Sequence, residues 1–375
     1  MSGSVAAVAS GSGQRGILPL QRLSALLDEG AIAADQPLVE GQLQPASLDL
    51  RLGRVAYRVR ASFLPGAGST VEQKIARFTM HEVDLTAGAV LERGCVYVVP
   101  LMERLALPDD IAGIANPKSS SGRLDVFTRL ITDNAMSFDR VRAGYHGRLY
   151  AEIAPRTFSV LVRTGVRLSQ LRLRTGEHVC SDEELRALHR RTPLLHVAGE
   201  ELQVDGGVAV TVDLKGASND GLIGWKARPH TGLIDLDRIG HYDPDEYWEP
   251  IRARADQGLV LNPDDFYILA SREAVTIPPD HAAEMVAYDT LVGEFRVHYA
   301  GFFDPGFGWA PAGGEGTRAV LEVRSHDVPF LLEHGQTVGR LAYEPMTETP
   351  SMLYGGGIGS NYQQQTLALS KQFRR

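Results

Sequence analysis

The sequence predicts a mainly β chain: a tandem pair of barrel- or sandwich-like units with a few short helices. Three observations carry this. Apolar–polar runs such as A-S-L-D-L-R-L-G at 46–53 are short and end at turn residues. Few stretches have helical spacing. Two long segments are also related by a fixed offset. L-E-R-G-C-V-Y-V-V-P-L starts at Leu91 and L-N-P-D-D-F-Y-I-L-A-S at Leu261, so 261 − 91 = 170. The offset of 170 also relates Glu152 to Glu322, and Val160 to Phe330. A chance alignment of regular β turns would not keep one offset over three segments.

Leu20, Leu23, Leu26 and Leu27, with Gly30 as C-cap, predict a helix over about 19–29. Alternation over 46–53 predicts a half-buried strand. Residues 62–80, with Pro65, Gly66 and Gly68, read as irregular. Strands are predicted at 96–99, 111–115, 149–153, 158–162 and 166–173, and a loop or hairpin at 130–145. Ser181-Asp182-Glu183-Glu184 is a capping box, opening a helix that stops before Pro193. A hairpin over 202–214 turns at Gly206-Gly207. The expected organisation is a flexible tail at 1–15, one unit over 16–195 and a second over 196–375.

Composition bounds the function. The chain has 375 residues, 43% hydrophobic and 22% charged, enough for two ordinary domains. A net charge of −8 argues against a general nucleic-acid binder. Only Cys95 and Cys180 occur, so neither a disulfide framework nor a C-x-x-C zinc site is available. No run of ~18 apolar residues suggests a membrane span, and a cytoplasmic protein is expected.

The chemistry centres on Asn116-Pro117-Lys118-Ser119-Ser120-Ser121-Gly122-Arg123. Hydroxyls and turned N–H groups between two cations suit phosphate oxygens. An ordinary polar turn fits the same composition. At the 170-residue offset, Asp289 stands opposite Ser119 and Gly293 opposite Arg123, so only the first half carries these residues. The second half has an apolar, turn-rich hairpin at 300–308, A-G-F-F-D-P-G-F-G. Its Glu322 lies in the apolar run Ala319 to Val323; the bland alternative is an outward carboxylate paired with Arg318 or Arg324. Tyr354, three glycines and Tyr362-Gln363-Gln364-Gln365 form a tail able to fold over a ligand, or a disordered terminus.

Together, K-S-S-S-G-R, the 300–308 hairpin, A-V-L-E at 319–322, S-L-D-L-R-L-G at 47–53, G-Q-T-V-G-R-L-A-Y-E-P at 335–345 and the tail resemble the dCTP deaminase branch of the dUTPase superfamily, in its long, duplicated form. The resemblance implies a pair of distorted dUTPase-like β-barrels. It implies hydrolysis of dCTP to dUTP and ammonia, with Glu322 as general base and Ser119 and Arg123 orienting the water. Lys118 and Ser120 would hold phosphates. Ala300, Phe303 and Asp304 would line base and sugar, and Tyr354, Tyr362 and Gln365 would close the site. Asn361 departs from the family's usual lysine. Mg2+ is expected only through the triphosphate, with no transition metal. The expected partner is dCTP, with dTTP inhibition and homo-oligomerisation open. Rival readings are a dUTPase or bifunctional dCTP deaminase/dUTP diphosphatase, and a non-catalytic nucleotide-binding protein. A zinc deaminase is disfavoured, because His281-Ala282-Ala283-Glu284 is not H-x-E and lacks a cysteine pair.

Overall fold

The computed structural model describes residues 15–197, 201–216, 221–254, 258–287, 295–297, 301–310, 315–325, 327–355 and 367–375. Most of residues 1–15, together with Ala300, Asn361, Tyr362 and Gln365, lies outside them. The chain is mainly β. Among the described residues the strands form six sheets.

The halves repeat one pairing scheme. In the first, Val96–Ala106 lies beside His146–Pro155; in the second, Phe266–Val275 lies beside Thr317–Ser325. Register follows the 170-residue offset. Ala151 faces Val99 as Leu321 faces Leu269. Ser169 faces Pro117 as Gly339 faces Ala287, and Val160 faces Leu91 as Phe330 faces Leu261. A one-residue slip would turn each apolar set outward, so the shared register reflects the shared alternation.

The two halves also interlock. Strand Ile234–Asp235 of the second half pairs in parallel with Val160–Val162 of the first. Trp248 is fully buried in the first core, its ring 5.4 Å from Phe158 and 5.9 Å from Phe373 near the C-terminus. Edge-on ring packing of this kind adds to the area buried.

Several expectations change. Residues 62–80 contain the helix Val71–Phe78, opened by a capping box in which Thr70 and Gln73 bond reciprocally, with Val71 and Ile75 turned inward. The signal, T-x-x-Q before apolar residues four apart, was present but obscured by the preceding Pro and Gly. Strand Ser47–Arg51 is buried throughout rather than half-buried. Its two charged side chains have partners: Asp49 meets Lys118, and Arg51 meets Glu103 at 2.8 Å. The chain does turn back at Gly206-Gly207, with an antiparallel Val204–Val208 bridge and the Ala209 N–H donating to Gln203 O at 3.0 Å, but the longer pairing of Val208–Thr211 is with Thr337–Pro345. Helix Asp182–Arg191 buries Leu185 and Leu188 in the second core, ahead of the 195/196 boundary.

Candidate active site

A cavity of about 890 Å³ opens between the halves. One wall comes from the serine-rich stretch. Strand Ile111–Pro117 ends at its proline, and a single helical turn, Ser119–Gly122, follows. Arg123 closes that turn, its N–H donating to the Ser119 carbonyl at 3.0 Å. Lys118, Ser119, Ser120 and Arg123 all line the cavity. Lys118 Nζ donates to both oxygens of Asp49, at 2.5 and 2.6 Å, and Arg167 stands 3.4 Å from the same carboxylate. Lys118 thus keeps one donor for an external anion.

The opposite wall belongs to the second half. Glu322, from strand Thr317–Ser325, is 7% exposed and lines the cavity. The outward, ion-paired alternative does not hold: Arg318 pairs with Asp213, and Arg324 with Asp125. Glu322 faces Arg123, with Nε and Oε1 3.9 Å apart, both side chains buried. Burial pushes the Glu322 carboxyl up to about 7, and the Arg123 guanidinium only partly opposes this. Arg123 Nη1 donates to the Ala368 carbonyl at 2.9 Å, which aims the guanidinium. At the matching place in the first half, Glu152 is instead held by Arg129 at 2.5 Å and does not line the cavity.

Phe302–Phe303 adds as a short strand to His281–Ala287, and Phe303 and Asp304 line the cavity. Gly306, at φ +93°, is required in the following turn: a Cβ there would meet Leu353 Cβ at 2.8 Å. That turn seats Tyr354, whose N–H donates to Pro305 O at 2.8 Å and whose ring stands 5.5 Å from Phe307. Of the expected site residues, the structure brings Lys118, Ser119, Ser120, Arg123, Phe303, Asp304, Glu322 and Tyr354 to one cavity.

Four residues escaped the sequence reading. Asp49 was hidden in an alternating strand. Arg167 and Arg172 looked like ordinary strand cations. Yet Arg172 is buried and donates to Ala283 O at 2.8 Å, Phe303 O at 2.9 Å and Asp304 Oδ1 at 2.9 Å, with its guanidinium 4.0 Å from the Phe302 ring. Lys371 belongs to a terminus with no apolar period. One metal-type group occurs among the described residues: His178, Cys180 and Glu184, with ligand atoms within 4.8 Å of one another. None of them lines the cavity, and burial pushes the Cys180 thiol up to about 12.

A mainly β chain with a hydroxyl-and-cation loop from one half facing a buried acid from the other defines a protein of two related β units that share one cavity. Residues 14–177 and 181–373 match the N-terminal and C-terminal domains of 2'-deoxycytidine 5'-triphosphate deaminase. A solved 2'-deoxycytidine 5'-triphosphate deaminase from Agrobacterium tumefaciens is 57% identical, with a TM-score of 0.85 over 89% of this chain and 99% of that one. A dCTP deaminase, dUMP-forming, from Kocuria rhizophila is 31% identical over 140 residues, 36% of this chain and 69% of that protein. The dCTP deaminase of Haloarcula marismortui is 30% identical over 132 residues, 35% of this chain and 65% of that protein. The chain belongs to the 2'-deoxycytidine 5'-triphosphate deaminase family.

Proposed function

We propose that the protein is a dCTP deaminase: dCTP and water give dUTP and ammonia. The observation that carries this is Glu322, a buried carboxyl near neutrality, facing Arg123 across the cavity. Replacing an amine at C4 of cytosine needs one group to take a proton from water and return protons to N3 and the leaving nitrogen. A carboxylate poised near pH 7 suits both transfers. Water adds to C4 as Glu322 takes one of its protons and passes it to N3; Glu322 then takes the proton of the new C4 hydroxyl and gives it to the leaving nitrogen, so that C4=O forms as the C4–N bond breaks and ammonia departs. Ser119 and Arg123 orient the water. Lys118 and Ser120 hold phosphate oxygens, while Phe303 and Asp304 flank base and sugar, with Ala300 assigned beside them. Tyr354 covers the hairpin side, and Tyr362 and Gln365 are assigned to closing the tail. Cations and hydroxyls line the phosphate end, which suits oxygens rather than a metal, so Mg2+ belongs to this reading as the triphosphate's counter-ion.

The offset of 170, kept in register by the paired strands, supports an internal duplication that divided one site between two units. The Kocuria relative is named as dUMP-forming, which favours a second reading in which pyrophosphate is also released. Ammonia and pyrophosphate release measured on dCTP, dCMP and dUTP, with dTTP as competitor, test both. Ammonia from dCTP alone supports the deaminase reading. Binding of dCTP without either product would identify a non-catalytic nucleotide-binding protein.

A further inference from the structure

Six lysines and arginines line the cavity among the described residues, and five face a carboxylate. Lys118 and Arg167 meet Asp49, Arg123 faces Glu322, Arg163 meets Asp235 at 2.7 Å, and Arg318 meets Asp213 at 2.5 Å. Lys371 has no hydrogen-bond or ion-pair partner among the described residues, although it is half-buried. Asp49 and Asp237 act on its ammonium through charge alone, with no hydrogen bond to it, and a partly desolvated ammonium without a bonded counter-charge is costly unless an anion reaches it.

Its backbone is fixed on both sides. Ser370 Oγ donates to the Ser120 carbonyl at 2.7 Å, tying this segment to the serine loop. The Gly240 N–H donates to Lys371 O at 2.9 Å, and Gln372 Nε2 to Leu236 O at 2.9 Å. Phe373 is buried against Tyr247, at 5.5 Å between ring centres, and Trp248. Lys371 is therefore held at the wall rather than carried on a loose terminus. Burial first, then the charges of Lys118 and Arg167, push its ammonium below the usual lysine range, and Asp49 and Asp237 only partly oppose this.

We propose that Lys371 is a further binding residue of this site, taking terminal phosphate oxygens of a nucleoside triphosphate. The inference deepens the dCTP deaminase reading and rests on it for the identity of the nucleotide. A triphosphate supplies the bonded counter-charge that Asp49 and Asp237 do not, and a nucleoside without phosphates supplies none.

Calorimetry on the full chain compares dCTP, inorganic tripolyphosphate and 2'-deoxycytidine for wild type, Lys371→Met and Lys371→Arg. Lys371→Met is expected to weaken dCTP and tripolyphosphate at least about tenfold while leaving 2'-deoxycytidine unchanged, and Lys371→Arg to retain most of the affinity. Equal weakening of all three ligands, or no weakening of dCTP and tripolyphosphate, overturns the proposal. The two readings separate. If wild type deaminates dCTP and Lys371→Met leaves its KM unchanged, the activity stands and this proposal fails. If wild type leaves dCTP untouched while tripolyphosphate binding depends on Lys371, the activity fails and the anion site stands.

Discussion

Arg174 and Glu344 stand at matching positions in the two halves, 170 residues apart, and form a buried ion pair of 3.1 Å. Two identical units would set like charges against each other at this point. Opposite charges here require units that differ, which a single chain permits. Burial holds the Glu344 carboxyl above its usual range, against the pull of Arg174. Glu344→Arg should cost about 3–5 kcal/mol, because it sets a second buried guanidinium against Arg174, which keeps only the exposed Glu177 as partner. The combined swap Arg174→Glu with Glu344→Arg should recover part of that. Denaturant midpoints decide the matter, and a single variant as stable as wild type would remove the pair as a constraint.

Glu322→Gln keeps shape and removes the base. Turnover of dCTP should fall by about 10²–10⁴, with nucleotide binding within a few-fold. Because Glu322 must be ionised to accept a proton, kcat/KM should rise with pH through about 7 and then level off. Stability runs the other way. A carboxyl raised from its usual 4.5 to about 7 is favoured protonated in the folded state. Its contribution is present below 4.5 and lost as pH rises through about 7, by up to about 3 kcal/mol. Relative to Glu322→Gln, wild type should therefore lose stability between pH 5 and 8. Near-native turnover by the variant would make Glu322 structural.

Arg172 reaches from the first half to hold the hairpin of the second. Its fork grips two carbonyls and the Asp304 carboxylate while stacking on Phe302. Lysine keeps the charge but loses the fork and the flat stacking face. Arg172→Lys should raise the KM for dCTP more than it lowers kcat, because the proposed function assigns Phe303 and Asp304 to base and sugar rather than to the reacting water. A parallel loss of both, together with a lower melting temperature, would mark Arg172 as purely structural.

Much of this was legible in the sequence, and the failures have physical causes. Alternation and one repeated offset predicted the strands and their correspondence, since both are local or periodic signals. Lys118, Ser119, Arg123 and Glu322 stood out because hydroxyls between cations, and an acid inside an apolar strand, are chemically conspicuous. Asp49 and Arg172 were not legible: each finds its partners on strands distant in sequence, so its burial is satisfied only in three dimensions. Helix Val71–Phe78 was missed although its capping box was present, because the preceding Pro65, Gly66 and Gly68 suggested a loop. Lys371 was the hardest, since a short terminal K-Q-F-R-R run carries no period and is fixed by contacts to residues 236–242, Tyr247, Trp248 and Ser120, all distant in sequence.

One site per chain is the remaining expectation. Arg123 and Glu322 face each other within a single chain, 3.9 Å apart, on the walls of one cavity. The corresponding place in the first half is occupied differently, because Glu152 already has Arg129 as its counter-charge. Opposite Ser119 and Arg123 the sequence has Asp289 and Gly293, an anion that repels a triphosphate and a residue that offers it no charge. Titration with dCTP should therefore saturate at one nucleotide per chain. Mixing Arg123→Ala and Glu322→Gln proteins after co-refolding should recover no activity, because each chain then carries one broken half of its own site. Recovered activity would mean that the working site is assembled between chains, and two equivalent nucleotides per chain would overturn the single-site reading.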